Sequence, residues 1–316
     1  MIDRCSTGQQ NLFIRHEDNP ILTSEDWPYP AHTVFNPGAI KYQGKTLLLC
    51  RVEDLRGFSH LTVARSENGD SDWKVDQEPT LHRSEDYHEE QWGLEDPRVI
   101  WLEDQEQYSV AYTSFSPGGP QVSLAMTDDF RNFDRTGALL PPEDKDACLF
   151  PRKIDGRYIL IHRPIVRGEP HIWISHSPDL RHWGDHEILL HRRGGWWDSD
   201  RVGLGPPPIE TSEGWVIIYH GVRSTASGKL YRVGLALLDL EQPWKVLRRT
   251  EQWVFGPLEP YEFMGDVPGV VFPTGTIYDR DTGQLQMYYG AADTTICLAT
   301  ARMNDILDFL SCCPEP

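Results

Sequence analysis

A strand–turn–strand pattern recurs five times along this chain, and no other feature limits its fold as tightly. The copies run from Pro37 to Arg51, Pro97 to Thr113, Pro151 to Arg163, Pro208 to His220 and Pro273 to Gly290. Each opens at a proline, runs as a strand, turns on polar residues or glycine, and returns as an apolar strand ending in a polar or aromatic group. A third apolar run follows each pair: Leu61–Ser66, Val122–Thr127, Ile172–Ser177, Val233–Leu238 and Ile296–Ala301. The first four of these lead through a polar turn to Trp73, Phe133, Trp183 and Trp244. A β-sandwich of about 100 residues would not repeat so long a unit five times. The pattern predicts an all-β chain folded as a five-bladed β-propeller with four strands to a blade. Residues 1–34 read as an irregular lead-in, 35–308 as one propeller domain and 309–316 as a tail.

Radial repetition would bring equivalent positions of the five copies together around one axis. The residues ending the second strands are Arg51, Thr113, Arg163, His220 and Gly290; those just before the first strands include Asn36, Asp96, Phe150 and Phe272. Asp96 stands in Trp92-Gly-Leu-Glu-Asp-Pro-Arg98, where Pro97 lacks an N–H and biases the backbone of Asp96 towards the extended region. Two groups of polar residues emerge at these ends. Arg51, Lys145, Arg163, Arg201, His220 and Tyr231 are cationic or donating; Glu95, Asp96, Asp146, Asp266 and Asp293 are carboxylates. Each has an ordinary reading alone: a surface arginine, a satisfied core histidine, a solvated loop charge. Together they describe a pocket for a small oxyanion, with phosphate favoured because arginine binds it bidentately.

That clamp would work against the field of the whole chain. With 30 basic and 48 acidic residues the formal net charge is -18, which argues against nucleic acid and anionic membrane as partners. The six cysteines show no C-x-x-C pair or regular framework, so reduced thiols and a cytoplasmic location are expected. The start of the chain lacks a basic-then-apolar signal pattern, and no apolar run reaches membrane-spanning length. The histidines from His171 to His191 have no metal-ligand spacing.

A set of short motifs then carries a family resemblance from about residue 19 to 301. They are Phe35-Asn-Pro-Gly-Ala39, Cys50-Arg-Val-Glu53, Ala64-Arg-Ser66, Glu95-Asp-Pro-Arg98, Lys145-Asp146, His162-Arg-Pro164, Gly205-Pro-Pro-Pro208, Tyr219-His-Gly221, Tyr231-Arg-Val-Gly234 and Tyr289-Gly-Ala-Ala-Asp293. In order and spacing they resemble glycoside hydrolase family 130, the five-bladed inverting β-mannoside phosphorylases. The resemblance implies Asp96 as the general acid, acting through the 3-hydroxyl of the mannosyl ring. It implies Arg163, Arg201, His220 and Tyr231 as phosphate ligands, and Asn36, Arg51, Arg65, Lys145, Asp146 and Asp293 as substrate-pocket residues. Inorganic phosphate is the co-substrate and no cofactor is implied. Phosphate would attack the anomeric carbon of the terminal mannose and release α-mannose 1-phosphate, so no second carboxylate need activate water. Arg201 departs from the expected lysine, though a guanidinium holds phosphate at least as well. β-1,4-Manno-oligosaccharides are the first expectation for substrate, with β-1,2-mannobiose or oligomannan next. An inverting β-mannosidase and a non-catalytic sugar-binding propeller, using aromatics such as Trp92, Tyr112, Tyr261 and Phe263, are the competing readings. Oligomeric state stays open, with room for a homo-oligomer.

Overall fold

Strands longer than a few residues form here because β-branched, aromatic and leucine-rich runs are punctuated by Gly, Pro and Asx turns every five to ten residues. The computed structural model describes residues 12–226 and 228–316. It is nearly all β, with one α-helix among the described residues, Met303–Ser311. The strands fall into five antiparallel meanders, numbered here as units I to V. Unit I is Thr33–Tyr42, Lys45–Glu53, Ser59–Ser66 and Lys74–Val75. Unit II is Gly93–Leu102, Gln107–Ser116, Gly119–Thr127 and Asp134–Ala138. Unit III is Asp144–Leu149, Tyr158–Val166, Ile172–Ser177 and Gly184–Leu190. Unit IV is Arg201–Leu204, Gly214–Thr225, Gly228–Leu238 and Val246–Arg249, with Ile209–Thr211 also on its second strand. Unit V is Val271–Asp279, Gln284–Ala291 and Thr295–Arg302, completed by Ile14–Arg15 from the other end of the described chain. Units I and II touch through one parallel bridge, Ser59 to Gly93.

The core lies between units rather than within one. Many strand residues are buried on both faces, as in Trp215–Tyr219 and Leu47–Cys50, where every residue is fully buried. Such strands must be covered by neighbours on both sides, which accounts for their continuous apolar runs. One apolar cluster joins units I and II, a second joins II, III and IV, a third joins IV, V and the helix, and a fourth joins V back to I. The succession therefore closes on itself. The helix docks through Met303, Ile306, Leu307 and Leu310, all buried, at the spacing of one helical face.

Two expectations shift. The division at residue 34 does not separate a lead-in from the sheets, because Ile14–Arg15 pairs with Ala299–Thr300 as the fourth strand of unit V. The division at 308 falls inside the helix. The third and fourth copies also begin earlier than their prolines suggest. The first strand of unit III is Asp144–Leu149, and that of unit IV starts at Arg201. Phe150 is a buried core residue packed edge-on against Trp215, not the counterpart of Asn36 and Asp96. Cys50, Cys148 and Cys297 are buried, unbridged thiols; Cys5 lies outside the described residues.

Candidate active site

Strand register lines up one residue in each unit. Arg51 faces Phe35, Thr113 faces Glu95, Arg163 faces Lys145, His220 faces Gly203 and Gly290 faces Phe272. These five second-strand residues are the ones the repeat singled out. In units I, II and III the first strand then bulges, between Phe35 and Gly38, Glu95 and Arg98, and Lys145 and Cys148. The bulge residues Asn36, Asp96 and Asp146 have φ of 44°, 49° and 53°, so Asp96 is left-handed and not extended as Pro97 alone would favour, the bulge overriding the local preference. Asn and Asp are the non-glycine residues that tolerate this left-handed backbone, and a bulge re-aims its side chain. Asp293, at φ 49°, sits in the turn between the last two strands of unit V.

These devices converge on one cavity of about 160 Å³, lined by Asn36, Arg51, Asp96, Lys145, Asp146, Arg163, Arg201, His220, Tyr231, Val270, Phe272 and Asp293. Of the catalytic, phosphate-binding and substrate-pocket residues that the family motifs imply, all but one are in that lining. The exception is Arg65, which pairs with Leu47, whereas it is Leu61 on the same strand that faces Arg51. Four residues of strand carry it about 13 Å away at ~3.3 Å per residue, and it forms an ion pair with Asp76 instead. Asp266 likewise stands outside, paired with His32 at the surface. Tyr112 is buried and donates to Glu90, so it offers no face to a sugar.

One side of the cavity is built around Asp96. Its Oδ1 accepts from Asn36 Nδ2 at 2.8 Å and from Arg51 Nη1 at 3.0 Å, while Oδ2 accepts no hydrogen bond from the described residues. Arg51 is itself held by Ser59 Oγ at 3.0 Å, and Glu95 bridges Arg51 at 3.3 Å and Lys145 at 2.9 Å. Arg98 lies beneath, fully buried. It donates to the carbonyls of Asp96, Leu204 and Gly205 and so ties the bulge of unit II to unit IV. Burial alone would raise the Asp96 carboxyl; Arg51, Lys145, Arg98 and the Asn36 hydrogen bond outweigh it and hold the pKa below the usual carboxylate range.

The other side is an anion clamp. Arg163, Arg201, His220 and Tyr231 line it, with Asp146 among them. Arg163 Nε donates to Asp146 Oδ2 at 2.6 Å, and His220 Nε2 lies 3.5 Å from the same oxygen. Arg201 has no carboxylate partner among the described residues, so its fork is uncommitted. Burial, with the charges of Arg163, Arg98 and Arg201, drives the His220 pKa down to about 3 despite Asp146, leaving a neutral imidazole packed against Phe272 at 4.7 Å. Behind Arg163, its backbone N–H donates to Asp144 Oδ1. Asp144 Oδ2 holds His162 at 2.6 Å, and His162 reaches Ser175 Oγ at 2.7 Å, fixing the strand that presents the guanidinium.

Asp293 lines the cavity without a hydrogen-bond partner among the described residues. Burial raises its pKa to about 6; the opposing charge of Arg51 is countered by Asp96, Glu53 and Glu95. The folded value lies above the ordinary ~3.9, so the folded chain binds this proton more tightly and stability falls as pH rises from about 4 to 6. Asp293→Asn is therefore expected to stabilise the fold at pH 7.5 by on the order of 2 kcal/mol and to leave it unchanged at pH 4. Urea unfolding at the two pH values checks this; a variant less stable at pH 7.5 would contradict it.

Sequence reasoning undervalued Arg98, Phe272, Gly203 and Gly290 and missed Val270. The glycines do carry a signal, since each stands at the aligned register level. A methyl on Gly290 would overlap Asn36 Oδ1, the residue that holds Asp96, and one on Gly203 would overlap Asp146 and His220. Gly290→Ala is expected to cut turnover at this site at least tenfold, a displacement effect of about 1.4 kcal/mol or more, with cooperative unfolding retained. Paired kinetics and thermal melts test it, and full activity would show that Asn36 is not under steric control.

A family model described as β-1,4-mannooligosaccharide phosphorylase, that of glycoside hydrolase family 130, matches residues 15–312. The chain is 34% identical over 311 residues to a β-1,4-mannooligosaccharide phosphorylase of Ruminococcus albus, covering 95% of this chain and 91% of that one. It is 36% identical to a 1,2-β-oligomannan phosphorylase of Thermoanaerobacter, covering 92% and 98%. Among solved structures, a β-1,2-mannobiose phosphorylase from Listeria innocua in complex with β-1,2-mannobiose superposes with a TM-score of 0.86 at 34% identity, covering 95% of this chain and 99% of that one.

Proposed function

The chain belongs to glycoside hydrolase family 130, and from that premise we propose that it is an inverting β-mannoside phosphorylase acting on β-1,4-manno-oligosaccharides. Its five units are the blades of a five-bladed propeller, and the cavity is the mouth of the axial channel. The observation that carries the activity is the pairing, in one cavity, of Asp96 with a separate clamp of Arg163, Arg201, His220 and Tyr231.

Phosphate sits in the clamp and attacks the anomeric carbon from the face opposite the leaving oxygen. Asp96, through the sugar's 3-hydroxyl, supplies the proton that the departing saccharide takes. The products are α-mannose 1-phosphate and a saccharide one residue shorter. Before phosphate binds, the Asp96 carboxyl is held ionised by its cations. An incoming phosphate brings negative charge to that field and shifts Asp96 toward its neutral form, since a nearby like charge disfavours ionisation. The nucleophile thus primes the acid. Asn36, Arg51, Lys145 and Asp293 hold the mannosyl ring, and Asp293, neutral below about pH 6, can donate as well as accept. Water as nucleophile would leave the clamp without a purpose, which disfavours the mannosidase reading.

A second substrate reading is β-1,2-linked mannoside, favoured by the names of the Thermoanaerobacter and Listeria relatives. Incubation with β-1,4- and β-1,2-mannobiose, each with and without phosphate, separates the two. The β-1,4 disaccharide should be consumed only when phosphate is present. Preference for the β-1,2 disaccharide would move the substrate assignment without touching the mechanism. The buried thiols of Cys50, Cys148 and Cys297 support a cytoplasmic setting.

A further inference from the structure

We propose that Asp146 selects the nucleophile, accepting a hydrogen bond from a protonated oxyanion so that hydrogenphosphate is admitted and fully deprotonated anions are refused. This rests on the phosphorylase reading and adds a discriminating group to it. The starting point is a carboxylate in the wrong place: Asp146 is almost fully buried and lines the cavity within the anion clamp, among Arg163, Arg201, His220 and Tyr231. Its two oxygens differ. Oδ2 is taken up by Arg163 Nε at 2.6 Å, with His220 Nε2 at 3.5 Å. Oδ1 accepts no hydrogen bond from the described residues, and its nearest cation, Arg98 Nη2, is 3.6 Å away.

An ionised carboxylate only accepts. Asp146 is held ionised: burial opposes it, but the charges of Arg163 and Arg98 and the Arg163 hydrogen bond keep the pKa far below the ordinary value. His220 is itself a neutral ring, so no imidazolium offsets the carboxylate. The backbone fixes the arrangement, because Asp146 occupies a left-handed bulge and Gly203 packs so close that a methyl there would strike Oδ2. The carboxylate cannot simply turn away. An anion entering the clamp meets this carboxylate, and must either present an O–H to it or leave two acceptors facing each other. Inorganic phosphate and arsenate carry a proton near neutral pH; sulfate does not. Monofluorophosphate has the charge of hydrogenphosphate with fluorine in place of the hydroxyl. Leaving a buried acceptor unpaired discriminates by about tenfold to a hundredfold.

The test is calorimetric titration of the whole chain with phosphate, arsenate, sulfate and monofluorophosphate at neutral pH, on the wild type and on Asp146→Asn. The wild type should bind phosphate and arsenate at least tenfold more tightly than sulfate and monofluorophosphate. In the variant, whose amide can donate to an oxyanion, the gap between phosphate and sulfate should close to within about threefold. The wild-type series stands alone if the variant does not fold. Equal affinity for phosphate and monofluorophosphate would overturn the role of Asp146 and leave the phosphorylase reading intact, as would a variant that keeps the wild-type ratio. A wild type that binds no phosphate would sink the phosphorylase reading and this inference with it.

Discussion

Asp96→Asn is expected to lower phosphorolysis of a β-linked mannobiose by about a thousandfold, the middle of the range for losing a general acid. Binding of mannoside and of phosphate should survive. Asparagine preserves the shape of the side chain and an oxygen for Asn36 and Arg51, which bind Oδ1 at 2.8 and 3.0 Å. What it removes is the proton. The readout that separates an acid from a structural prop is the leaving group. A dinitrophenyl β-mannoside needs little protonation as it departs, so the variant should recover most of its rate with that substrate and phosphate. Equal loss on both substrates would mean that Asp96 holds the cavity together and that the proton comes from elsewhere.

Arg163→Ala is expected to have the second-largest effect, a drop of about a hundredfold or more in kcat/KM for phosphate. Arg163 is 5% exposed, and its Nε meets Asp146 Oδ2 at 2.6 Å. Truncation deletes a phosphate donor and also leaves the Asp146 carboxylate facing the incoming anion with only Arg98 and a neutral His220 near it. The loss should appear mainly as a raised phosphate KM, with KM for the mannoside within about threefold of wild type. Lysine at this position should restore little, because a point charge cannot satisfy Asp146 and the phosphate with one planar fork. Initial-rate kinetics varying each substrate in turn decide the matter. A parallel rise in both KM values would make Arg163 a general support instead of part of an anion site.

What could be read from the sequence was the periodic part of the architecture. Five second strands, written in alternating or continuous apolar runs, brought Arg51, Arg163 and His220 to one level, and the strand register agrees. Proline was a good marker where it follows the bulge residue directly, as at Asn36-Pro37 and Asp96-Pro97. It misled in unit III, where the bulge is Asp146-Ala147 and the next proline, Pro151, lies beyond the strand. The closing strand Ile14–Arg15 is too short to carry any period. Arg65 was placed by its motif, but a motif does not say how far along a strand a residue lies from the mouth. Contacts made at long range left no local trace either. Arg98 reaching the carbonyls of Leu204 and Gly205, and Gly290 making room for Asn36, exist only after the units have packed.

Phosphorus and proton NMR of one reaction mixture tests the central claim most directly. Chain, β-1,4-mannobiose and inorganic phosphate are mixed, with a parallel sample lacking phosphate. A sugar phosphate resonance should grow at the expense of inorganic phosphate, with an α-configured anomeric proton on the product from the first time points and one mannose released per phosphate consumed. The sample without phosphate should stay unchanged. Free mannose appearing at the same rate in both samples, with inorganic phosphate untouched, would contradict it.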